Sequence, residues 1–252
     1  MSYFKKPYHD GVAEGDYTAK TSVNKFGCNP SVPATLEDVW DGSAVYEYLA
    51  DDTFSLMYIS SDDQSNDVGI TWKVSGIDSD YNYSEVTGTL DGTDARTFVA
   101  LTSGATDNKW WRIFRAYNTS GTAMTGNLYV SKANTDAGGD GIPDTATDIQ
   151  AKILIAREQT LMALWTVPTG KTAWIHHYYA STSSAKVTEV TLLVRPFGGV
   201  FNTKHVLSIN QGAIQHLFQF PVSVAAKSDI KVMASAAGAG GIVTAGFDLY
   251  YE

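Results

Sequence analysis

Of the chain's 252 residues one is a cysteine, Cys28, so no disulfide can form within the chain and its stability must come from packing. Lys and Arg are scarce, 18 against 27 Asp and Glu. The resulting net charge of −9 leaves no basic excess to neutralise phosphates, which argues against nucleic-acid binding. No apolar run approaches the roughly eighteen residues of a membrane span. The opening MSYFKKPYHDGVAEGDY has two lysines but no apolar h-region and no small-residue cleavage pattern, so neither a membrane partner nor export by a signal peptide is expected. Helix signals are almost as scarce. Only ATLEDVWDG, with Thr35 three residues before Asp38 and Gly42 as a stop, approximates a capping box and predicts one short helix over 35–41.

What is present is apolar substance, 44% hydrophobic against 18% charged, enough for a substantial core. Charge is unevenly spread. Residues 1–155 hold 11 Lys and Arg against 22 Asp and Glu, a balance of −11, and residues 156–252 hold 7 against 5, a balance of +2. Two surfaces of this kind suggest two modules, or one module with two kinds of face.

Residues 1–34 are rich in Lys, Asn, Ser, Gly and Pro and read as an extended arm that orders on a partner. From GITWKVSGI onward the chain reads as strand and turn: an Asp-Gly hairpin at 91–93, KWWRIFRAY (109–117), GNLYVS (126–131), IQAKILI (149–155), then a second series from LMALWTV to IVTAGFDLYYE. Arg112 and Arg115, interleaved with Trp111, Ile113 and Phe114, suit a strand with one wet face. Regular spacing without intervening helices argues for antiparallel sandwiches, with a module boundary near 156–160.

The stretch most like chemistry is DAGGDGIPDTATD (136–148), where Asp136, Asp140 and Asp144 surround a Gly-Asp-Gly core. As a calcium loop started at Asp136 it lacks two required ligands, since position 3 is Gly138 and position 12 is Thr147. It reads as a long strand connection with solvated carboxylates, and no metal site is expected. His176 and His177, adjacent on a strand, should leave opposite faces; His205 and His216 lie on other strands and could approach one of them, but no metal-binding spacing is present. There is no G-x-S-x-G elbow, Cys28 sits in a polar arm, and AAGAGG (236–241) fails the dinucleotide-binding pattern because position 243 is Val. No catalytic residue and no cofactor is expected. Trp110, Trp111, Trp165, Trp174, Tyr178, Tyr179, Tyr250 and Tyr251 could form a sugar-stacking platform, but paired neighbours such as Trp110 and Trp111, one ring inside and one out, fit core plus subunit interface better.

At NKFGCNP (24–30) followed by EDVWDG (37–42) the chain resembles a family of bacteriophage virion structural proteins common in phages of aquatic bacteria. The likeness continues through SSDDQSNDVGITWKVSGID (60–78), TGTLDGT (87–93), KWWRIFRAYNTSGTAMTGNLYV (109–130) and TVPTGKTAWI (166–175), about two thirds of the chain. Cys28 departs from it, standing where Arg is usual, and the loop of 134–148 is longer than in the family. The resemblance implies a non-enzymatic component of a phage particle.

Taken together, these readings predict an all-β chain: an N-terminal arm (1–34) before two antiparallel, jelly-roll-like β-sandwiches, 35–157 and 158–252. Its expected role is to decorate or cement the capsid, assembling in the host cytoplasm and residing in the virion. Its partners would be the major capsid protein or other virion proteins, and itself as a symmetric oligomer such as a homotrimer. Phe26, Pro30 and Trp40 are the expected apolar anchors of the arm and Asn29 its hydrogen-bonding group. Two rivals remain: a tail or fibre protein whose second sandwich contacts host glycans, and a glycan hydrolase, which needs two carboxylates facing across a groove.

Overall fold

In the computed structural model, which describes residues 7–42, 44–238 and 240–252, short alternating segments closed by turn residues build an all-β chain with antiparallel pairing throughout. The strands are β1 (Thr21–Val32), β2 (Glu37–Asp38), β3 (Met57–Ser61), β4 (Thr71–Asp78), β5 (Tyr83–Thr89), β6 (Val99–Leu101), β7 (Trp110–Asn118) and β8 (Leu128–Ser131). They continue with β9 (Ile149–Ile153), β10 (Leu164–Thr166), β11 (Ala173–Thr182), β12 (Thr188–Arg195), β13 (Asn202–Ile209), β14 (Gly212–Val224), β15 (Asp229–Ala236) and β16 (Gly241–Tyr251). One helix of six residues, α1 (Tyr8–Ala13), precedes them.

Four sheets form two sandwiches. One pairs the sheet β1-β16-β11-β14 with β10-β15-β12-β13, to which β2 adds beside β15. Counting only β1 and β10 to β16 as strands one to eight, the two sheets run 1-8-3-6 and 2-7-4-5, which is the interleaved order of a jelly roll. The other sandwich, sheets β6-β3-β8-β9 and β5-β4-β7, is inserted between the first two strands of that jelly roll.

The expected arm is therefore corrected. From residue 21 it is a strand of the jelly roll, in register with β16 from Thr21 opposite Tyr251 to Asn29 opposite Val243, and the division at 34 falls inside this unit. Residues 1–6 of the arm lie outside the described residues. Gly27 explains the close fit: a Cβ there would lie 2.0 Å from the Val39 carbonyl oxygen and 2.5 Å from the Ala163 nitrogen, so only glycine lets these backbones cross the strand. The boundary expected near 157 lies in the connection between β9 and β10.

The helix expected over 35–41 is also replaced. Glu37 and Asp38 pair with Ala234 and Met233 on β15. The Asp38 carboxylate accepts the Tyr46 amide at 2.8 Å and the Lys231 ammonium at 3.0 and 3.1 Å instead of capping a helix. Sheet pairing overrides a weak local signal.

Strand β7 has no wet face over its first half. Trp110, Trp111, Arg112, Ile113 and Phe114 are all buried, and only Arg115 emerges. One face of the strand packs into its own sandwich, where Trp110 donates its indole N–H to the Leu101 carbonyl at 3.0 Å. The other is covered by the jelly roll: Trp111 meets Phe197 edge-on at 5.7 Å, and Arg112 forms a bidentate pair with Asp229 of β15 at 3.0 and 3.1 Å. Asp229 also accepts from Arg195 (3.0 Å) and from Thr166 (2.6 Å), and Arg112 donates to the Leu49 carbonyl at 2.8 Å, so this buried charge is fully engaged. This cluster joins the two sandwiches, whose apolar residues form one continuous core.

Candidate assembly surface

The four residues expected to bind a partner are turned largely inward. Asn29 is completely buried; its amide donates to the Glu37 carboxylate at 3.1 Å and the Asp38 carbonyl at 3.3 Å, and its side-chain oxygen accepts the Ser31 amide at 3.0 Å. Trp40 is buried, donates to the Ala44 carbonyl at 3.1 Å and meets Tyr46 edge-on at 5.3 Å. Phe26 and Pro30 are half-buried. Asn29 thereby ties β1 to β2. Nearby, Lys25 is buried and donates to the Phe114 carbonyl of β7; burial, reinforced by nearby Arg115, brings its ammonium down to about 7. Cys28, in a polar stretch of sequence, is buried as well, and that burial pushes its thiol up and away from thiolate chemistry.

The acidic loop uses its carboxylates on itself. Asp136 accepts the amides of Asp140 (3.2 Å) and Gly141 (2.8 Å), Asp140 that of Ile142 (3.0 Å), and Asp144 that of Ala137 (3.0 Å). Gly141, at φ +78°, lies against the Ser61 carbonyl where a Cβ would come within 1.9 Å, and its own carbonyl accepts from Ser60 at 2.8 Å. Among the described residues no three His, Cys, Asp or Glu side chains are grouped to hold a metal ion.

The histidines fall differently from expectation. A register shift between Ile175 and His177 inserts a bulge in β11. As a result His176 and His177 line the same depression on the outer face of the β1-β16-β11-β14 sheet instead of opposite faces. His177 pairs with Asp248 at 3.0 Å and His176 lies 5.0 Å from the Tyr250 ring. This depression, about 280 Å³, adjoins a second of about 530 Å³ lined by Tyr179, Ala213, Ile214 and Gln215. His205 and His216 approach each other, stacked at 4.0 Å across the gap between the two sheets, with Phe218 edge-on to both. Burial, and then the neighbouring His216, lower the pKa of His205.

The feature the sequence reading passed over is the corner where β13, the last strand of one sheet, passes into β14, the last strand of the other. Most of β14 is exposed on both faces, including Leu217 at 68% and Phe220 at 83%, with Ile214 at 41%; Val206 of β13 is at 42%. Residues 205–226 hold no Asp, Glu, Lys or Arg, the longest such run in the chain. That gap was the available signal. In an acidic protein, a neutral strand with apolar side chains on both faces is unsuited to water alone and suited to contact with another surface.

No protein-family model matches the chain, and no curated protein does. Solved structures that align with it include the isomalto-dextranase of Arthrobacter globiformis T6 complexed with panose, at 10% identity and a TM-score of 0.25 over 85% of this chain and 36% of that one. They also include the PBSX exported protein XepA, at 9% and 0.19 over 92% and 85%, and infectious bursal disease virus Gx strain, at 8% and 0.21 over 92% and 77%. The chain thus spans little more than a third of the dextranase, and at these TM-scores none of the three carries an argument about this chain.

Proposed function

We propose that this chain is a structural protein of a bacteriophage virion that decorates or cements the capsid through protein–protein contacts, assembling in the host cytoplasm with the major capsid protein, other virion proteins and copies of itself. The observation that carries this reading is the neutral, doubly exposed strand β14, with Leu217 and Phe220 standing out of an acidic molecule. A jelly roll is compatible with the role but also hosts lectins and enzymes, so the surface and the sequence resemblance support the reading more than the fold does. Partner binding passes from the arm to this strand, because Asn29 and Trp40 are committed within the chain.

The test is co-sedimentation with purified capsids of a phage that encodes the chain. Stoichiometric binding that falls at least about tenfold in Leu217→Asp/Phe220→Asp, with the fold retained by circular dichroism, supports the reading; buried apolar anchors usually dominate such contacts. No capsid affinity in the intact protein overturns it.

The outer face of the same sheet favours a second reading, a tail or fibre protein that contacts host glycans. Tyr250 with Trp174 and His176 offers ring faces beside the polar pair His177 and Asp248, a combination suited to sugars. Saturable binding to cell-surface polysaccharide, lost in Tyr250→Ala, with no capsid affinity, would select it.

A further inference from the structure

Strand β14 ends its sheet: β11 pairs with one side of it, and among the described residues no strand pairs with the other. Such an edge is a row of free amide and carbonyl groups, and natural edges are usually guarded by a charge, a proline, a bulge or a covering segment. Here the guards sit at one end only. From Gly212 to Leu217 the ladder with Thr182 to His177 is regular; the irregularity comes after Leu217, where Phe218 to Pro221 intervene before Val222 pairs with Ile175. The regular six residues carry no Asp, Glu, Lys, Arg or Pro.

We infer that Ala213–Leu217 pairs antiparallel with the same segment of a second copy of this chain, about a two-fold axis at Gln215, merging two four-stranded sheets into one of eight strands. This rests on the reading of the chain as an assembly protein and names its self-contact. Two features select a second copy as the occupant. Each copy carries −9, so copies repel except where both surfaces are neutral, and this run is the longest stretch without ionised side chains. An antiparallel edge is also self-complementary: under a two-fold, each strand supplies the partner groups the other lacks, and Gln215 meets its own copy on the axis, with Ile214 opposite His216 of the copy and Ala213 opposite its Leu217.

The geometry sets strength and number. Five paired residues make a ladder only about 17 Å long, at about 3.4 Å each, too small for the about 800 Å² per partner that stable interfaces bury. Pairing is therefore weak and concentration-dependent in solution, and becomes effective where a particle holds copies close together. An isologous edge closes at two, so the pairing gives dimers in place of the expected trimer.

Sedimentation velocity of the full chain from low to high micromolar concentration tests this. The apparent mass should rise from 27.2 kDa towards twice that value. Gln215→Lys, which sets like charges against each other on the axis, and Leu217→Lys, which adds a charge at each end of the neutral ladder, should each raise the dimer dissociation constant at least about tenfold. Val200→Lys, at an exposed apolar residue outside the strand, should leave it unchanged. A mass fixed at 27.2 kDa, a limit at three copies, or a dimer indifferent to both strand variants overturns the inference. The two readings separate cleanly. A monomer that still binds capsids through Leu217 sinks the self-pairing and spares the virion role. A dimer with the predicted variant pattern but no capsid affinity does the reverse.

Discussion

Strands β1 and β14 are the two ends of one sheet, and the chain treats them in opposite ways. Beyond β1 the segments around Val39 and Leu161 close in: Cys28 donates its amide to the Leu161 carbonyl at 3.3 Å, Val39 and Ala163 pair with each other, and Gly27 leaves no room for a side chain between them. Beyond β14 nothing among the described residues adds a strand. The difference shows where an edge is interior and where it is surface. The β1 end joins the jelly roll to the inserted sandwich through Lys25 and Phe114, so it must be sealed, whereas the β14 end faces outward and has been kept neutral.

Breaking the sealed side should cost most. Arg112→Ala leaves Asp229 buried with only Arg195 and Thr166 to engage it, and should destabilise the protein by about 3–5 kcal/mol in urea unfolding. Gly27→Ala, whose Cβ would overlap two backbones, should cost about 3 kcal/mol. A smaller change would mean that the edge can open.

Lys25 gives the comparison a pH dependence. Its folded value of about 7 lies below the ordinary 10.5, so between these limits the unfolded chain binds more protons and stability rises with pH. The cost of burying the ammonium is fully present below the folded value and is relieved towards the unfolded one. Lys25→Met should remove that slope, and its stability relative to the parent should be more favourable at about pH 6 than at about pH 10 by roughly 4 kcal/mol. Equal differences at both pH values would contradict the burial argument. On the open side, Leu217→Ala should change stability by no more than about 0.5 kcal/mol, because the side chain is mostly in water already. A large loss would show that β14 is a core element.

Much of the all-β architecture was legible because alternation and turn residues are local signals. In GITWKVSGI, Ile70, Trp72 and Val74 alternate with Thr71 and Lys73, and all three are buried. What stayed hidden depends on distant chain. The pairing of Thr21 with Tyr251 has no local trace, and polar Lys25 and Asn29 mask a buried strand because their partners, Phe114 and Glu37, lie on other elements. Trp111 and Arg112 misled for the same reason: β7 is covered on both faces, a register shift at Trp111 turns it to the same side as Arg112, and a charge can occupy that interior when Asp229 meets it. At the candidate surface the charge gap of 205–226 was readable, but that β14 ends its sheet was not, since edge position is a property of topology.

Hydrogen exchange followed by mass spectrometry on dilute protein and on protein assembled with capsids measures the contrast between the two edges directly. The account predicts slow exchange across 21–32 in both states, and fast exchange across 212–217 in dilute protein that slows on assembly. Exchange at 212–217 that is already slow in dilute monomer, or unchanged on assembly, would contradict it.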